Sequence, residues 1–118
     1  MRALPIRQPF AELIMLGQKD KEYRSRRTSI RGRVLVYATL NRIDPELEEE
    51  IARECDLDVE GLPRGVLVGT VEIYDCQPDP EGGFAWCLRK PERARQPRKP
   101  AKPPCSGGFF HPFGASEA

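Results

Sequence analysis

The spacing of apolar residues predicts a first helix over residues 6–17. Pro9 suits its first turn, and Gly17 suits the position just past a helix end. Because the apolar residues between them leave little polar face, we expect this helix to be largely buried.

A second predicted helix, over residues 44–55, is acidic and amphipathic. Asp44 is suited to the cap and Pro45 to the first helical position, and acidic residues fill the first turns. We expect the rest of the helix surface to be solvated acid. One apolar stripe is predicted from residues that recur every four positions: Leu47, Ile51 and Cys55.

Four other segments have the patterns of strands. They are residues 21–25, 33–39, 64–76 and 84–88. The segment 64–76 is the strongest, and Gly69 within it indicates a bulge or a close approach of another backbone.

The last part of the chain lacks a regular pattern. Residues 90–104 contain five prolines and many cations, so we predict an extended or looped piece, a basic Pro-rich loop at about 89–104. Three phenylalanines in residues 107–113 should return to the body. Strands separated by helices predict that residues 1–118 form a single α+β domain built on a small, partly closed β-barrel with flanking α-helices.

Charge is segregated along the chain, although the net charge is only +1. Residues 1–33 hold nine Lys/Arg and three Asp/Glu, a balance of +6, and residues 89–102 hold seven and one, again +6. Residues 44–60 hold nine acidic residues and one arginine, a balance of −8. If the two basic segments share a face, that face attracts phosphates; alternatively, the acidic helix lies against them and neutralises the field.

Membrane and zinc-binding classes are disfavoured. No apolar run approaches the roughly 18 residues that span a bilayer, and the first residues lack the apolar core of a signal peptide, so we expect a cytoplasmic protein. The cysteines have no C-x-x-C spacing and one histidine accompanies them, so we expect reduced thiols and no zinc site. These residues are Cys55, Cys76, Cys87, Cys105 and His111.

Glu72 is unusual because it is a carboxylate in the middle of a predicted strand. Burial of a carboxylate is costly unless it is paired, and the cations of residues 17–26 are its natural partners. One interpretation is a structural ion pair or a half-exposed sheet face. The other is a carboxylate beside an ammonium, where each group shifts the pKa of the other toward acid–base chemistry.

The cations that follow the first helix suit a polyanion. Arg24 can contact a phosphate with two hydrogen bonds, and Lys19 acts as a point charge. Tyr23, Tyr37 or Trp86 could stack on bases, or could belong to the barrel core. We predict the following nucleic-acid contacts: Arg7, Gln8, Lys19, Lys21, Tyr23, Arg24, Ser25, Arg26 and Tyr37.

Residues 4–26 resemble the opening of an ASCH domain, a member of the PUA-like superfamily. The signature G-x-K-x-x-E-x-R of that family is filled at every position by Gly17, Lys19, Glu22 and Arg24. The flanking pieces I-R-Q-P, RGRVLVYA, LPRGVLVGTVEI and GGFFHPF also occur in the right order, so the resemblance covers nearly the whole chain.

The resemblance implies a PUA-like barrel with a cleft where the signature meets the barrel mouth, and an association with RNA. Members of this family are also described as ribonucleases and as small amidohydrolases that act on acetylated cytidine. The amidohydrolases use a lysine, a threonine and a glutamate. Lys19 and Glu72 match the first and last of these, whereas Glu22 stands at the threonine position and could act only as a base or a metal ligand.

Three hypotheses follow: an RNA- or nucleotide-binding module without chemistry, a hydrolase, and a protein-interaction domain that uses the acidic helix and the basic tail. For the hydrolase, the predicted catalytic residues are Lys19, Glu22 and Glu72, and ribonuclease activity is favoured over nucleoside amidohydrolase activity. The sequence establishes no cofactor, but Glu22 and Glu72 could together hold one divalent metal ion, Mg²⁺ or Mn²⁺. A structural salt-bridge network is the alternative for these carboxylates, and monomer and homodimer both remain open.

Overall fold

The computed structural model describes residues 1–114, which form a mixed sheet of five strands with two α-helices and a short 3-10 helix. The elements are β1 (Ala3–Ile6), α1 (Phe10–Met15), β2 (Lys21–Arg24), β3 (Gly32–Ala38), α2 (Pro45–Cys55), the 3-10 helix (Val59–Gly61), β4 (Val66–Pro78) and β5 (Phe84–Arg98). The α+β prediction is confirmed.

The strand order is β1-β3-β4-β5-β2, with β1 parallel to β3 and the other pairs antiparallel. The two edge strands, β1 and β2, are not paired with each other, so strand pairing does not close the sheet into a full barrel within residues 1–114. The fold is therefore consistent with the predicted partly closed barrel, in which the sheet itself remains open.

Strand β1 and the start of α1 differ from the prediction. All four residues of β1 are buried, and they lie just before the segment that we predicted as helix. The helix begins at Phe10, after Pro9, rather than at residue 6. The strand is too short to carry a recognisable pattern, and its parallel pairing with β3 depends on the distant β3 residues.

The core lies between the sheet and α1. Helix α1 is buried as predicted, and its Ile14 packs with Val36, Val71 and Ile73 from β3 and β4. The phenylalanines of the C-terminal segment return to the body, as predicted. Phe110 exchanges two backbone hydrogen bonds with Ala3, at 2.8 and 3.1 Å, on the edge of β1 that faces away from β3.

Helix α2 has the predicted bounds and cap but not the predicted apolar stripe. The Asp44 carboxylate accepts hydrogen bonds from the backbone N–H groups of Glu46 and Leu47. Leu47 is 42% exposed, whereas Glu48 is buried. Arginines before and after the helix explain the burial of this acid, because Arg42 and Arg64 lie 2.5 and 3.6 Å from its carboxylate.

Strand β5 continues to Arg98, so residues 89–98 take the extended alternative of the prediction and do not form a loop. The long β4 supplies partners along its whole length, as far as the pair Leu67–Arg98. Strand β2 pairs only with Phe84–Cys87, so the outer edge of β5 beyond Cys87 is unpaired within the described strands. Prolines are tolerated on such an edge because they need no donor there.

The described helices contain none long and apolar enough to cross a membrane. All four cysteines are free thiols, as predicted: Cys87 is buried, Cys105 is exposed, and Cys55 and Cys76 are half-buried.

Gly69 marks both a bulge and a close backbone approach, as predicted. The register between β4 and β5 shifts next to it, between Leu67 and Gly69. A Cβ at this position would overlap the carbonyl oxygen of Glu92 and lie 2.5 Å from Met15 Sδ. The absence of a side chain therefore lets β5 and α1 approach β4 closely.

We expect Gly69→Ala to lower the free energy of unfolding by about 1–3 kcal/mol, because the added methyl group forces β5 away from β4. Urea denaturation measures this change. Gly108→Ala is the control, since a Cβ there makes only an ordinary contact with Ser106 Oγ at 3.7 Å. Equal stability of the two variants would contradict the close approach.

Candidate functional site

A cleft of about 1070 Å³ opens between β1, the start of α1, β2, the end of β3 and the C-terminal segment. Its cationic and aromatic lining includes Arg7, Phe10, Lys19, Tyr23 and Arg24. Three of the four signature residues reach this cleft, since Glu22 also lines it. The predicted meeting of the signature with a cleft is therefore observed.

The turn after α1 delivers the signature lysine to the cleft. Gly17 follows the helix in the left-handed region, at φ +77°, where a side chain would be strained, and this fits its predicted place past the helix end.

Arg93 of β5 donates two hydrogen bonds, of 2.7 and 3.0 Å, to the Glu12 carboxylate. These bonds raise the pKa of Arg93 and fix α1, and with it the position of Lys19.

Glu22 lies between the two signature cations. Its carboxylate accepts a 2.8 Å hydrogen bond from Arg24 Nε, and its other oxygen lies 3.7 Å from Lys19 Nζ. Glu22 is only 13% exposed, so these two cations compensate the desolvation of its charge. The shorter and better-directed bond is that to Arg24.

Arg24 connects the two edges of the sheet. It lies on β2, and its Nη2 donates a 2.6 Å hydrogen bond to the carbonyl oxygen of Pro5 on β1. Its Nη1 donates a 2.9 Å bond to the carbonyl of Gly107, and its guanidinium lies 5.5 Å from the centre of the Trp86 ring. The guanidinium predicted to bind phosphate is therefore held by protein groups on three sides, which makes Arg24 primarily a structural residue.

Lys19 has weaker restraints than Arg24. Its ammonium lies 5.4 Å from the centre of the Phe10 ring and 5.3 Å from that of Tyr23. The Lys19 ammonium lies 3.7 Å from the Glu22 carboxylate, which is long for a hydrogen bond. Lys19 is therefore the signature cation whose hydrogen-bond donors are available to a ligand in the cleft.

The three candidate stacking residues have different surroundings. Tyr23 is 57% exposed and lines the cleft. Tyr37 also lines the cleft but is buried, with its ring edge-on to Phe110. Trp86 is buried, stacks on Phe109, and donates its indole N–H to the carbonyl of Arg26 at 2.9 Å, so it belongs to the core.

Several other predicted contact residues do not face the cleft. Gln8 is fully buried, where its amide donates to the carbonyl of Pro63 and accepts from the N–H of Glu12, so its predicted contact with nucleic acid is wrong. Its buried polar group serves the fold by fastening α1 to a distant loop. Three more predicted contacts are absent from the cleft lining: Lys21, Ser25 and Arg26.

Glu72 lies outside the cleft, which corrects its predicted pairing with the cations of residues 17–26. Its carboxylate accepts a 2.7 Å hydrogen bond from Arg89 Nε of β5 and forms an ion pair with Arg89 Nη2 at 2.6 Å. The Arg89–Glu72 register of the two strands brings these side chains together. Glu72 is therefore paired with Arg89 rather than with a cation of residues 17–26.

The residues present do not fit the divalent cation that we considered. Glu22 and Glu72 are bound by different arginines, Arg24 and Arg89. Within residues 1–114 no three His, Cys, Asp or Glu side chains form a group that could hold a metal ion.

The cleft also contains residues that the sequence pattern did not indicate. Thr39 and Asn41 follow β3, and Cys105 and Ser106 come from the C-terminal segment. The Thr39 hydroxyl is buried and has no hydrogen-bond partner within residues 1–114. These residues lie where β3 ends and in an irregular segment, and only the tertiary fold brings them beside the signature.

Fold and signature together define a small α+β domain with a ligand-sized cleft. A profile of the ASCH domain family matches residues 4–91, and the chain belongs to this family, as the resemblance predicted. Activating signal cointegrator 1 from Homo sapiens is 36% identical over 80 residues, and that from Mus musculus is 38% identical over 80. These alignments cover 62% of this chain but 14% of each relative, so the chain spans a small part of their length.

We expect Arg24→Lys to lower the free energy of unfolding by about 1–3 kcal/mol, because a lysine ammonium cannot donate hydrogen bonds to Glu22, Pro5 and Gly107 at the same time. Chemical denaturation measures the change. Arg26→Lys is the matched control on an exposed side chain and should change stability by less than about 0.5 kcal/mol. Unchanged stability of Arg24→Lys would contradict the structural role.

Proposed function

We propose that this protein binds single-stranded RNA in the cleft, with Lys19 as the principal cation. The observation that carries the proposal is the placement of the Lys19 ammonium in the cleft, near two aromatic rings and 3.7 Å from the Glu22 carboxylate, which is too far for a hydrogen bond. Membership of the ASCH domain family, which is associated with RNA, supports the proposal.

The lining of the cleft suits both the phosphate and the base of a nucleotide. Arg7 is exposed at the cleft and, with Lys19, supplies positive charge for phosphates. The exposed ring of Tyr23 offers a stacking surface, which typically contributes about 1–3 kcal/mol per base.

A single strand fits this arrangement better than a duplex does. Stacking on Tyr23 requires an unpaired base whose face is accessible, and bases in a helix cover one another. The volume of about 1070 Å³ is near the upper end of ordinary small-molecule pockets, so it accommodates a nucleotide and part of its neighbours.

Ribonuclease activity is the second candidate, and the Lys19–Glu22 pair favours it. The two groups face each other in the cleft at 3.7 Å and could serve as the acid–base pair of a hydrolase. The amidohydrolase alternative has less support, because its glutamate counterpart, Glu72, binds Arg89 outside the cleft.

We expect Lys19→Gln to weaken binding of a fluorescein-labelled single-stranded RNA about tenfold, because a charge-assisted phosphate contact is lost. The slope of log K against log salt should fall by about 1. Fluorescence anisotropy over a salt series measures both. Lys99→Gln removes the same charge from an exposed site outside the cleft lining, and it should have a smaller effect.

Gel electrophoresis of the same RNA, with Mg²⁺, Mn²⁺ or EDTA, separates binding from cleavage. Fragments formed by the wild type and not by Lys19→Gln would establish the ribonuclease. Binding without fragments would leave a binding module. Absence of binding by the wild type, or equal losses in the Lys19 and Lys99 variants, would refute the proposed function.

We expect bound RNA to slow alkylation of Cys105 by iodoacetamide, because Cys105 is exposed and lines the cleft. Mass spectrometry of peptides measures the rate at each cysteine. Cys87 is the internal control, since burial raises the pKa of its thiol and keeps it protonated and unreactive with or without RNA. Unchanged alkylation of Cys105 at saturating RNA would place the ligand elsewhere.

A further inference from the structure

A second depression, of about 300 Å³, lies beside the cleft and shares Lys19 with it. Its other polar and aromatic lining comes from Asp20, Tyr74, Arg89 and Lys90. The backbone explains why the two are neighbours: the N–H of Leu88 donates a 2.8 Å hydrogen bond to the carbonyl of Asp20, which sets the start of β2 against this part of β5. Lys19 therefore stands at the border between the cleft and the second depression.

Lys90 is turned into this depression by a bulge. Thr70 pairs with Glu92 and Glu72 pairs with Arg89, so Lys90 and Pro91 of β5 together lie opposite one residue of β4. Lys90 has φ +54°, in the left-handed region that non-glycine residues rarely occupy. A bulge of this kind re-aims a side chain, and such strained positions concentrate at functional sites.

The charges of the second depression favour an anion. Lys90 is exposed, and its ammonium has no carboxylate partner within residues 1–114. Lys19 and Arg89 add two more cations to the lining, against the single acid Asp20. Lys19 and Arg89 are each paired with a carboxylate outside the lining, Glu22 and Glu72, so Lys90 is the cation of the lining that has no ion pair among the described residues.

Tyr74 supplies an aromatic surface beside these cations. It is 44% exposed, and the Arg89 guanidinium lies 4.6 Å from its ring centre. An exposed ring next to a cation is the combination that binds successive nucleotides of a single strand. The depression therefore has a cation beside a tyrosine ring, Arg89 and Tyr74, as the cleft has in Lys19 and Tyr23.

We infer that the second depression continues the RNA path: a strand bound in the cleft passes Lys19, stacks a base on Tyr74 and places a phosphate at Lys90. This inference rests on the proposed function, because its occupant is the continuation of the RNA in the cleft. It adds a second subsite and predicts that affinity depends on the length of the strand.

The test compares the affinities of two labelled single-stranded RNAs. One has about three nucleotides and fits within the cleft, and the other has about ten nucleotides and extends beyond it. The full chain should bind the longer RNA about tenfold or more tightly. Lys90→Asn and Tyr74→Thr should each reduce that gain about three- to tenfold and leave the short RNA unaffected. Asparagine tolerates the left-handed backbone and threonine suits a strand, so both variants should fold.

Lys99→Asn is the matched control, since it removes one exposed lysine that lines neither the cleft nor the second depression. An effect of Lys99→Asn equal to that of Lys90→Asn would overturn the inference, because the loss would then be non-specific. Equal binding of the two RNAs by the wild type would overturn the second subsite while the proposed function stands. Failure of both RNAs to bind would refute the proposed function and the second subsite together.

Discussion

The Arg24 guanidinium holds together the two edges of a sheet that strand pairing leaves open. Its hydrogen bond to Pro5 crosses from β2 to β1, and its bond to Gly107 fastens the C-terminal segment that lies along the same gap. Phe110 pairs with Ala3 on this edge of β1, so the segment lies in the gap and forms one wall of the cleft. The cleft therefore exists because a cation and a short segment, rather than a sixth strand, occupy the gap.

Some residues of the signature stabilise the fold, and one is available to bind a ligand. Glu22 balances the charge of Arg24 and orients it, and this leaves Lys19 with a longer contact to the same carboxylate. Gly17 permits the sharp turn that brings Lys19 from the end of α1 to the cleft. The four signature residues thus provide one structural ion pair, Glu22–Arg24, one turn at Gly17, and one cation, Lys19, that is available to a ligand. A motif confined to one turn and one strand can therefore define a binding site.

Local patterns predicted the helices and most strands, but not the contacts that form the site. The cap at Asp44 and the bulge at Gly69 depend on neighbouring residues or on the lack of a side chain, and both could be read from the sequence. The partner of Glu72 could not, because strand register decides that it meets Arg89. Gln8 was misassigned for the same reason: its burial against Pro63 depends on a loop 55 residues away.

The central claim is that the cleft beside Lys19 is the RNA-binding surface, and an NMR titration of the isotope-labelled protein tests it most directly. On addition of single-stranded RNA, we predict that amide shift changes cluster at Arg7, Lys19, Tyr23 and Ser106, residues from separate segments that meet only in the cleft. The acidic helix Pro45–Cys55 should not respond. Shift changes centred on that helix, or none at saturating RNA, would contradict the account.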